Sequence, residues 1–231
     1  MLHLYFSQFI SMNLSLIQSS ILSYTKALNN RAEIWDLCRD ISDLHTSWWA
    51  SKDAVTLEYA KLYGPFVAKW WPHHRYAIKR VEQYIETSDD FVRSMFDDLL
   101  SEQKDISGRV GRFIHHCDTL FKHDRRQTVL ALDHGHGDKQ LIFLYLSTLV
   151  PAHYMPYDFK AMSLFLTKVG SKAALVESDT DRYVKVSRSL CHFMRKDPDL
   201  TRLIRDQVDI HKTTEDVYWM MMTYMMMCQK S

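Results

Sequence analysis

Six glycines and five prolines are the only strong helix breakers in 231 residues, and the stretches between them repeat apolar side chains every three or four positions. A fold of many short strands needs a turn at every strand end, so a chain this poor in turn residues is better suited to helices. With 46% hydrophobic residues it can build a sizeable core, which excludes a disordered chain. Basic and acidic side chains number 29 and 28, so any contact with nucleic acid or membrane must come from a local patch.

The helical stripes can be placed in order. Leu14, Ile17, Ile21, Leu22 and Leu28 mark a first helix over 12–28, and Ile34, Leu37, Ile41 and Leu44 a second. A third is expected over 53–63, closed by Gly64-Pro65. Tyr76, Ile78, Val81 and Ile85 share one side of a fourth over 76–85, after which Thr87-Ser88-Asp89-Asp90 offers a new N-cap for a helix to about Glu102. Ile106, Val110, Phe113, Ile114, Cys117, Leu120 and Phe121 give the clearest stripe. Helices resume over 159–169 before Gly170, over 179–196, from Pro198 to about 208, and over 214–228.

Between Thr128 and Thr148 the texture changes. Two apolar runs rich in β-branched and aromatic residues flank a Gly-containing loop, which predicts a short antiparallel hairpin from about Thr128 to Leu132 and Leu141 to Ser147. The expected fold is therefore mainly α, a helical array of about eight to ten helices with a small antiparallel β-hairpin insert. One domain over 1–231 accommodates it, with 1–64 as a candidate N-terminal helical subdomain, the hairpin insert at about 128–148 and C-terminal helices over 158–228.

The four cysteines at 38, 117, 191 and 228 have no zinc-knuckle spacing and no disulfide-framework pattern, which fits a reducing cytoplasm. The N-terminal MLHLYFSQFIS lacks a basic segment and a cleavage site, so neither a signal peptide nor a membrane span is expected there. Trp219 to Cys228 is too short to span a bilayer and reads as one buried Met-rich helix.

Several clusters invite a chemical reading. Asp133, His134, His136 and Asp138 place four metal-ligand types around two glycines, the pattern of a zinc or manganese loop; a solvated hairpin tip has the same composition. Arg followed by His after four to six residues, as in helical metal-independent ribonucleases, occurs at Arg39/His45, Arg109/His115 or His116, and Arg205/His211. There His would be the general base, with Arg holding phosphate charge. Chance supplies about two such pairs in this composition, so the spacing discriminates little. Asp158-x-Lys160 and Glu102-x-Lys104 give half of a metal-dependent nuclease motif, without an upstream strand carboxylate. Gly170-Ser171-Lys172 is a lone tripeptide, so a self-contained P-loop is absent and no resident cofactor is expected.

The best local candidate for nucleic-acid contact is FVAKWWPHHRYAIKR, residues 66–80. Lys69, Arg75, Lys79 and Arg80 can neutralise phosphates, and Trp70, Trp71 and Tyr76 offer faces on which a base can stack. The same tryptophans beside a proline also suit helix-to-helix packing.

This order of residues resembles a known family. Trp70-Trp71-Pro72-His73-His74-Arg75-Tyr76-Ala77-Ile78-Lys79, then Ser88-Asp89-Asp90-Phe91 opening a helix, then Ile106-Ser107-Gly108-Arg109-Val110-Gly111-Arg112-Phe113 are similar to the N-terminal region of McrB-like AAA+ restriction proteins. Leu141 to Leu146 followed by Pro151-Ala152-His153-Tyr154-Met155-Pro156-Tyr157-Asp158-Phe159 is similar to that family's strand, its Pro-x-x-Tyr-x-x-Tyr segment and the next helix. The final 179–228 is similar to the helices before the motor, so the likeness covers roughly residues 60 to 228. Asp158 stands where the family often has lysine, and that lysine's role does not carry over. The resemblance implies a noncatalytic recognition or assembly module of a prokaryotic restriction or antiviral defence system. Such a module reads modified or foreign DNA, while an AAA+ NTPase domain or subunit translocates and a separate nuclease subunit cuts. No membrane partner is implied.

Overall fold

The computed structural model describes residues 13–28, 30–51, 55–123, 133–171, 175–208 and 215–229. Among these residues there are ten α-helices and no strand: α1 (Leu14–Leu28), α2 (Ala32–Ala50), α3 (Leu57–Trp70), α4 (Arg75–Leu100), α5 (Ile106–His123), α6 (Lys139–Leu149), α7 (Phe159–Lys168), α8 (Thr180–Met194), α9 (Pro198–Gln207) and α10 (Glu215–Met227). A single 3-10 turn, Pro72–His74, joins α3 to α4.

Most helix starts are written in short polar side chains. Asn13 accepts from the backbone of Ser15 and Leu16 at the start of α1, and Thr56 from Tyr59 at the start of α3. Asp158, Asp179 and Asp197 do the same for α7, α8 and α9 through Ala161, Arg182 and Leu200. Each satisfies a backbone donor that the helix itself cannot, worth about 1 kcal/mol. The break expected at Thr87-Ser88 is present: Ser88 has φ −154° and ψ 50°, so α4 is two helical segments meeting at a kink. Gly170, at φ +67°, follows the end of α7, in the left-handed conformation that glycine adopts without steric cost.

Two sequence expectations need correction. The third helix does not stop at Gly64-Pro65 but runs through to Trp70. A proline in a helix interior costs about 3 kcal/mol; Tyr63, Phe66 and Val67 are buried around it, and each large apolar side chain returns about 1.5 to 3 kcal/mol. The hairpin is also not formed. Its first half, 128–132, lies outside the described residues, and its second half, 141–147, is the interior of α6. Every side chain from Leu141 to Leu149 in α6 is buried. A segment surrounded on all sides loses both the strand's alternation and the helix's stripe, so hydrophobic periodicity cannot separate the two states. The Asp138 cap on Gln140 N–H is the local feature that favours the helix. The run likened to a strand of the McrB-like family is therefore helical here, and that part of the resemblance does not carry over.

The Met-rich helix behaves as the sequence suggests, with α10 buried from Val217 to Tyr224. α6 and α10 are thus apolar on all sides and lie against each other, with α2 touching both. Around them the amphipathic helices form a shell: α3 packs on α2 and α4, α4 on α5, α5 on α8, and α1 on α8 and α10. No helix among the described residues is long and apolar enough to cross a membrane. None of the four cysteines is paired. Tyr145 of α6 is the meeting point of the shell, with ring centroids 5.2 Å from Tyr63 of α3, 5.2 Å from Phe96 of α4 and 6.0 Å from Phe113 of α5.

Two substitutions test this core. Leu144→Ala should cost about 2 to 5 kcal/mol in chemical denaturation, as expected for a fully buried leucine. Asp138→Ala should cost about 1 kcal/mol through the lost cap. A strand at 141–147 would leave Asp138→Ala without effect.

Candidate functional site

The basic and aromatic stretch spans the end of α3, the 3-10 turn and the first turns of α4, and the structure divides it into three groups. Lys69 Nζ and Trp70 Nε1 both donate to Asp40 Oδ2 of α2 at 2.7 Å, with the ammonium 4.6 Å from the Trp70 ring centroid. They tie α3 to α2. Trp71 is buried against Phe66, with ring centroids 5.7 Å apart. Arg75, Tyr76 and Lys79 are exposed on the outer side of α4, while Ile78 and Val81 point into the core, so Tyr76 does not belong to their apolar stripe as the spacing suggests.

Arg80 departs from the sequence grouping. One residue past Lys79 it is turned by about 100° around the helix, which carries it under the surface to 4% exposure. Its Nε donates to the Tyr76 hydroxyl at 2.8 Å, and its guanidinium lies 5.1 Å from the Tyr76 ring and 5.4 Å from Phe121 of α5. Trp71 and Arg80 therefore belong to the interior, and Arg80 bears on the surface through the tyrosine it holds. Tyr76 itself is 44% exposed. In the turn before it, His73 Nε2 and His74 Nε2 each lie 2.9 Å from Gln140 Oε1, pinning this corner to the start of α6. Burial, partly offset by the Gln140 hydrogen bond, lowers the His74 pKa below the ordinary histidine value.

The His-Gly-His-Gly loop is not a solvated tip. Asp133 accepts from Gly135 N–H at 2.7 Å and Asp138 caps α6, so both carboxylates are engaged by backbone while their residues remain exposed. His134 and His136 turn inward and are buried. Gly135 between them has φ +73°, and a Cβ there would lie 3.0 Å from Ala77 Cβ on α4, so glycine serves both the left-handed backbone and the close approach. The two histidines meet Cys117 of α5: one potential ligand atom from each lies within 4.8 Å of the others. The loop's four candidates are therefore not assembled as one site: the two histidines join Cys117, and the two aspartates hold backbone N–H groups instead. Burial, reinforced by neighbouring His134, pushes the His136 pKa down to about 3, and burial raises the Cys117 thiol.

Neither Arg/His pair that lies within the described residues forms a contact in the structure. Arg109 and His115 or His116 are six and seven residues apart on α5, about 9 to 10 Å along the axis. His115 is exposed, and His116 packs edge-on against Phe91 at 5.2 Å. Arg39 pairs with Asp36, whereas His45 Nδ1 lies 3.0 Å from the Thr148 carbonyl. His211 lies outside the described residues. Asp158 caps α7, and Lys104 pairs with Asp98, so neither nuclease half-motif is presented from a strand.

Arg109 instead anchors a polar network that sequence reading missed. At 2% exposure it donates to the Leu99 carbonyl at 2.6 Å, to the Tyr154 hydroxyl and, at 3.4 Å, to Glu102. Glu102 also accepts from Tyr154, lies 3.0 Å from His153 Nδ1 and 3.6 Å from Arg188 of α8. Burial works to raise the Glu102 carboxyl, but the Tyr154 hydrogen bond and the charges of Arg109, His153 and Arg188 outweigh it and hold the pKa below the ordinary glutamate value. The sequence did carry a signal: Arg109 sits on the apolar stripe of α5, four residues before Phe113, where a charge must find partners. The network joins the α4–α5 loop to the segment before α7 and to α8.

Comparison with protein-family models, curated proteins and solved structures finds no match.

The lowered Glu102 pKa makes a pH-dependent prediction. A carboxyl whose native pKa lies below its unfolded value stabilises the fold above the unfolded pKa, and that contribution disappears as pH falls through the native pKa. Glu102→Gln should therefore melt below the parent at pH 7, and the gap should close as pH drops below the ordinary glutamate value of about 4.3. A gap that stays constant down to low pH would mean that Glu102 acts through packing alone.

Proposed function

We propose that this chain is a noncatalytic recognition or docking module that contacts nucleic acid through the outer face of α4. The observation that carries the reading is Tyr76: exposed, flanked by Arg75 and Lys79, and held by a buried arginine through its hydroxyl. An aromatic face fixed in place loses little entropy when a base stacks on it, and neighbouring cations neutralise the phosphates to either side. Arg75 and Lys79 are four residues apart, hence one above the other on the helix surface, which suits tracking a backbone rather than reading base edges. Among the candidate acid, base and phosphate-holding groups, by contrast, Arg39 and Lys104 sit in ion pairs, Arg109 in a buried network and Asp158 in a helix cap. The McrB-like resemblance supports the same division of labour. In this proposal the DNA is modified or foreign, motion comes from an AAA+ NTPase domain or subunit, cleavage comes from a separate nuclease subunit, and the setting is the prokaryotic cytoplasm.

The reading is tested by titrating labelled single- and double-stranded DNA at several salt concentrations. Arg75→Ala/Lys79→Ala should weaken binding to all sequences and reduce the salt slope by about two units, one for each lost phosphate contact. Tyr76→Ala should cost about 1 to 3 kcal/mol on single strands with little change of slope. Unchanged affinity and slope in variants that melt like the parent would reject the interface.

A further inference from the structure

We propose that Cys117, His134 and His136 form a buried binding site for one divalent transition-metal ion of the zinc type. The site goes beyond the nucleic-acid reading and uses none of its surface residues. A thiol and two imidazoles are the donor set that zinc and cobalt take in preference to magnesium or calcium, which favour oxygen. All three residues are buried, on two separate elements: Cys117 on α5, and both histidines on the loop before α6. Their ligand atoms lie within 4.8 Å of one another. A tetrahedral ion with bonds of about 2.0 to 2.3 Å needs its ligand atoms roughly 3.3 to 3.8 Å apart, so the group closes on a metal by shifts of about 1 Å.

The surrounding hydrogen bonds set the imidazoles as a ligand pair requires. His136 Nδ1 lies 2.9 Å from the His134 carbonyl, which can only accept, so Nδ1 carries the proton and Nε2 presents its lone pair. That lone pair faces the Tyr145 hydroxyl at a long 3.3 Å. A backbone carbonyl fixing one ring nitrogen while the other meets the ion is the usual outer support of a metal-bound histidine. His134 Nδ1 accepts the His136 backbone N–H at 2.9 Å, so its Nε2 carries the proton and donates to Asp118 Oδ1 at 3.0 Å. Binding through Nδ1 exchanges the backbone hydrogen bond for the metal bond and keeps the carboxylate–histidine support. The Cys117 thiol lies 4.0 Å from the Met95 sulfur.

Charge also balances. On binding, the Cys117 S–H bond breaks, the sulfur keeps the electron pair for the metal, and the proton leaves to solvent. Thiolate and the half-exposed Asp118 carboxylate then offset the two positive charges of the ion while both imidazoles stay neutral, so the charges of the site and its support sum to zero. The Asp118 side chain is 49% exposed, giving ion and proton a polar route to water.

The test uses untagged full-length protein stripped with chelator, then titrated with cobalt(II) and zinc(II). One equivalent of cobalt should bind per chain, with a thiolate-to-cobalt charge-transfer band that zinc bleaches, and zinc should raise the melting temperature. Cys117→Ser should abolish the charge-transfer band, and His136→Asn should weaken binding. Asp118→Asn, a change at a half-exposed side chain, should weaken it about 10- to 100-fold while leaving the helical circular dichroism intact. The wild-type spectrum and Asp118→Asn keep the test decisive if a core variant fails to fold. No charge-transfer band, or cobalt binding that survives both Cys117→Ser and Asp118→Asn unchanged, would overturn the site and leave the cluster as a hydrogen-bonded core.

Discussion

The architecture depends on one constraint: α6 is apolar over its whole circumference and has to be enclosed. Its mid-helix backbone groups are satisfied within the helix, and Asp138 and His45 meet groups at its two ends, but its side chains from Leu141 to Leu149 need neighbours on every side. α2 and α10 supply part of that enclosure, and Tyr63, Phe96 and Phe113 close around Tyr145 from α3, α4 and α5. The amphipathic helices of the shell have one apolar stripe each, and this is the surface on which those stripes converge. A helix of eleven residues thereby sets the relative placement of elements drawn from most of the sequence.

Enclosing α6 also fixes the polar groups around it. Its N-terminus is set by Asp138, so the loop that precedes it has to pass between α4 and α5, which carries His134 and His136 out of water and next to Cys117. Gly135 eases the same passage, since a Cβ there would crowd Ala77 at 3.0 Å and would sit on a left-handed backbone. Ala77 follows Tyr76 directly. The loop with the histidines and the exposed tyrosine thus share one turn of α4, at neighbouring positions about 100° apart around the helix, one buried and one exposed.

Two buried arginines illustrate how a charge is kept inside. Arg109 is held by a carbonyl, a phenol and a carboxylate, and so joins the α4–α5 loop to Tyr154 and, through Glu102, to α8. Arg80 is held by the Tyr76 hydroxyl and the Phe121 ring. Removing the partner of a buried charge costs more than the pair gains, so each network is locked once formed. The difference between them lies in what they hold. Arg109 stitches segments together, whereas Arg80 fixes an aromatic ring at the surface.

The sequence by itself determined where most helices begin and which face of each is apolar, because caps and stripes are local: Asp179 and Asp197 open α8 and α9, Ser88 breaks α4, and Ile106 to Phe113 marks the inner side of α5. It also placed Arg75 and Lys79 on one outer face, since one helical turn relates them, but it put Tyr76 with the apolar stripe of Ile78 and Val81, from which the structure turns it out to solvent. It did not determine the state of 141–147, the continuation of α3 past Pro65, or the burial of Arg80 and the two loop histidines. Those outcomes turn on what surrounds each residue. A fully enclosed run has no periodicity to read, a proline's local cost is offset by side chains that pack elsewhere, and a polar residue goes inside only when a partner distant in the chain is there to meet it. Cys117 meets His134 and His136 across a gap in sequence that no spacing rule spans, and only the tertiary structure decided that contact, because enclosing α6 brought the loop onto α5.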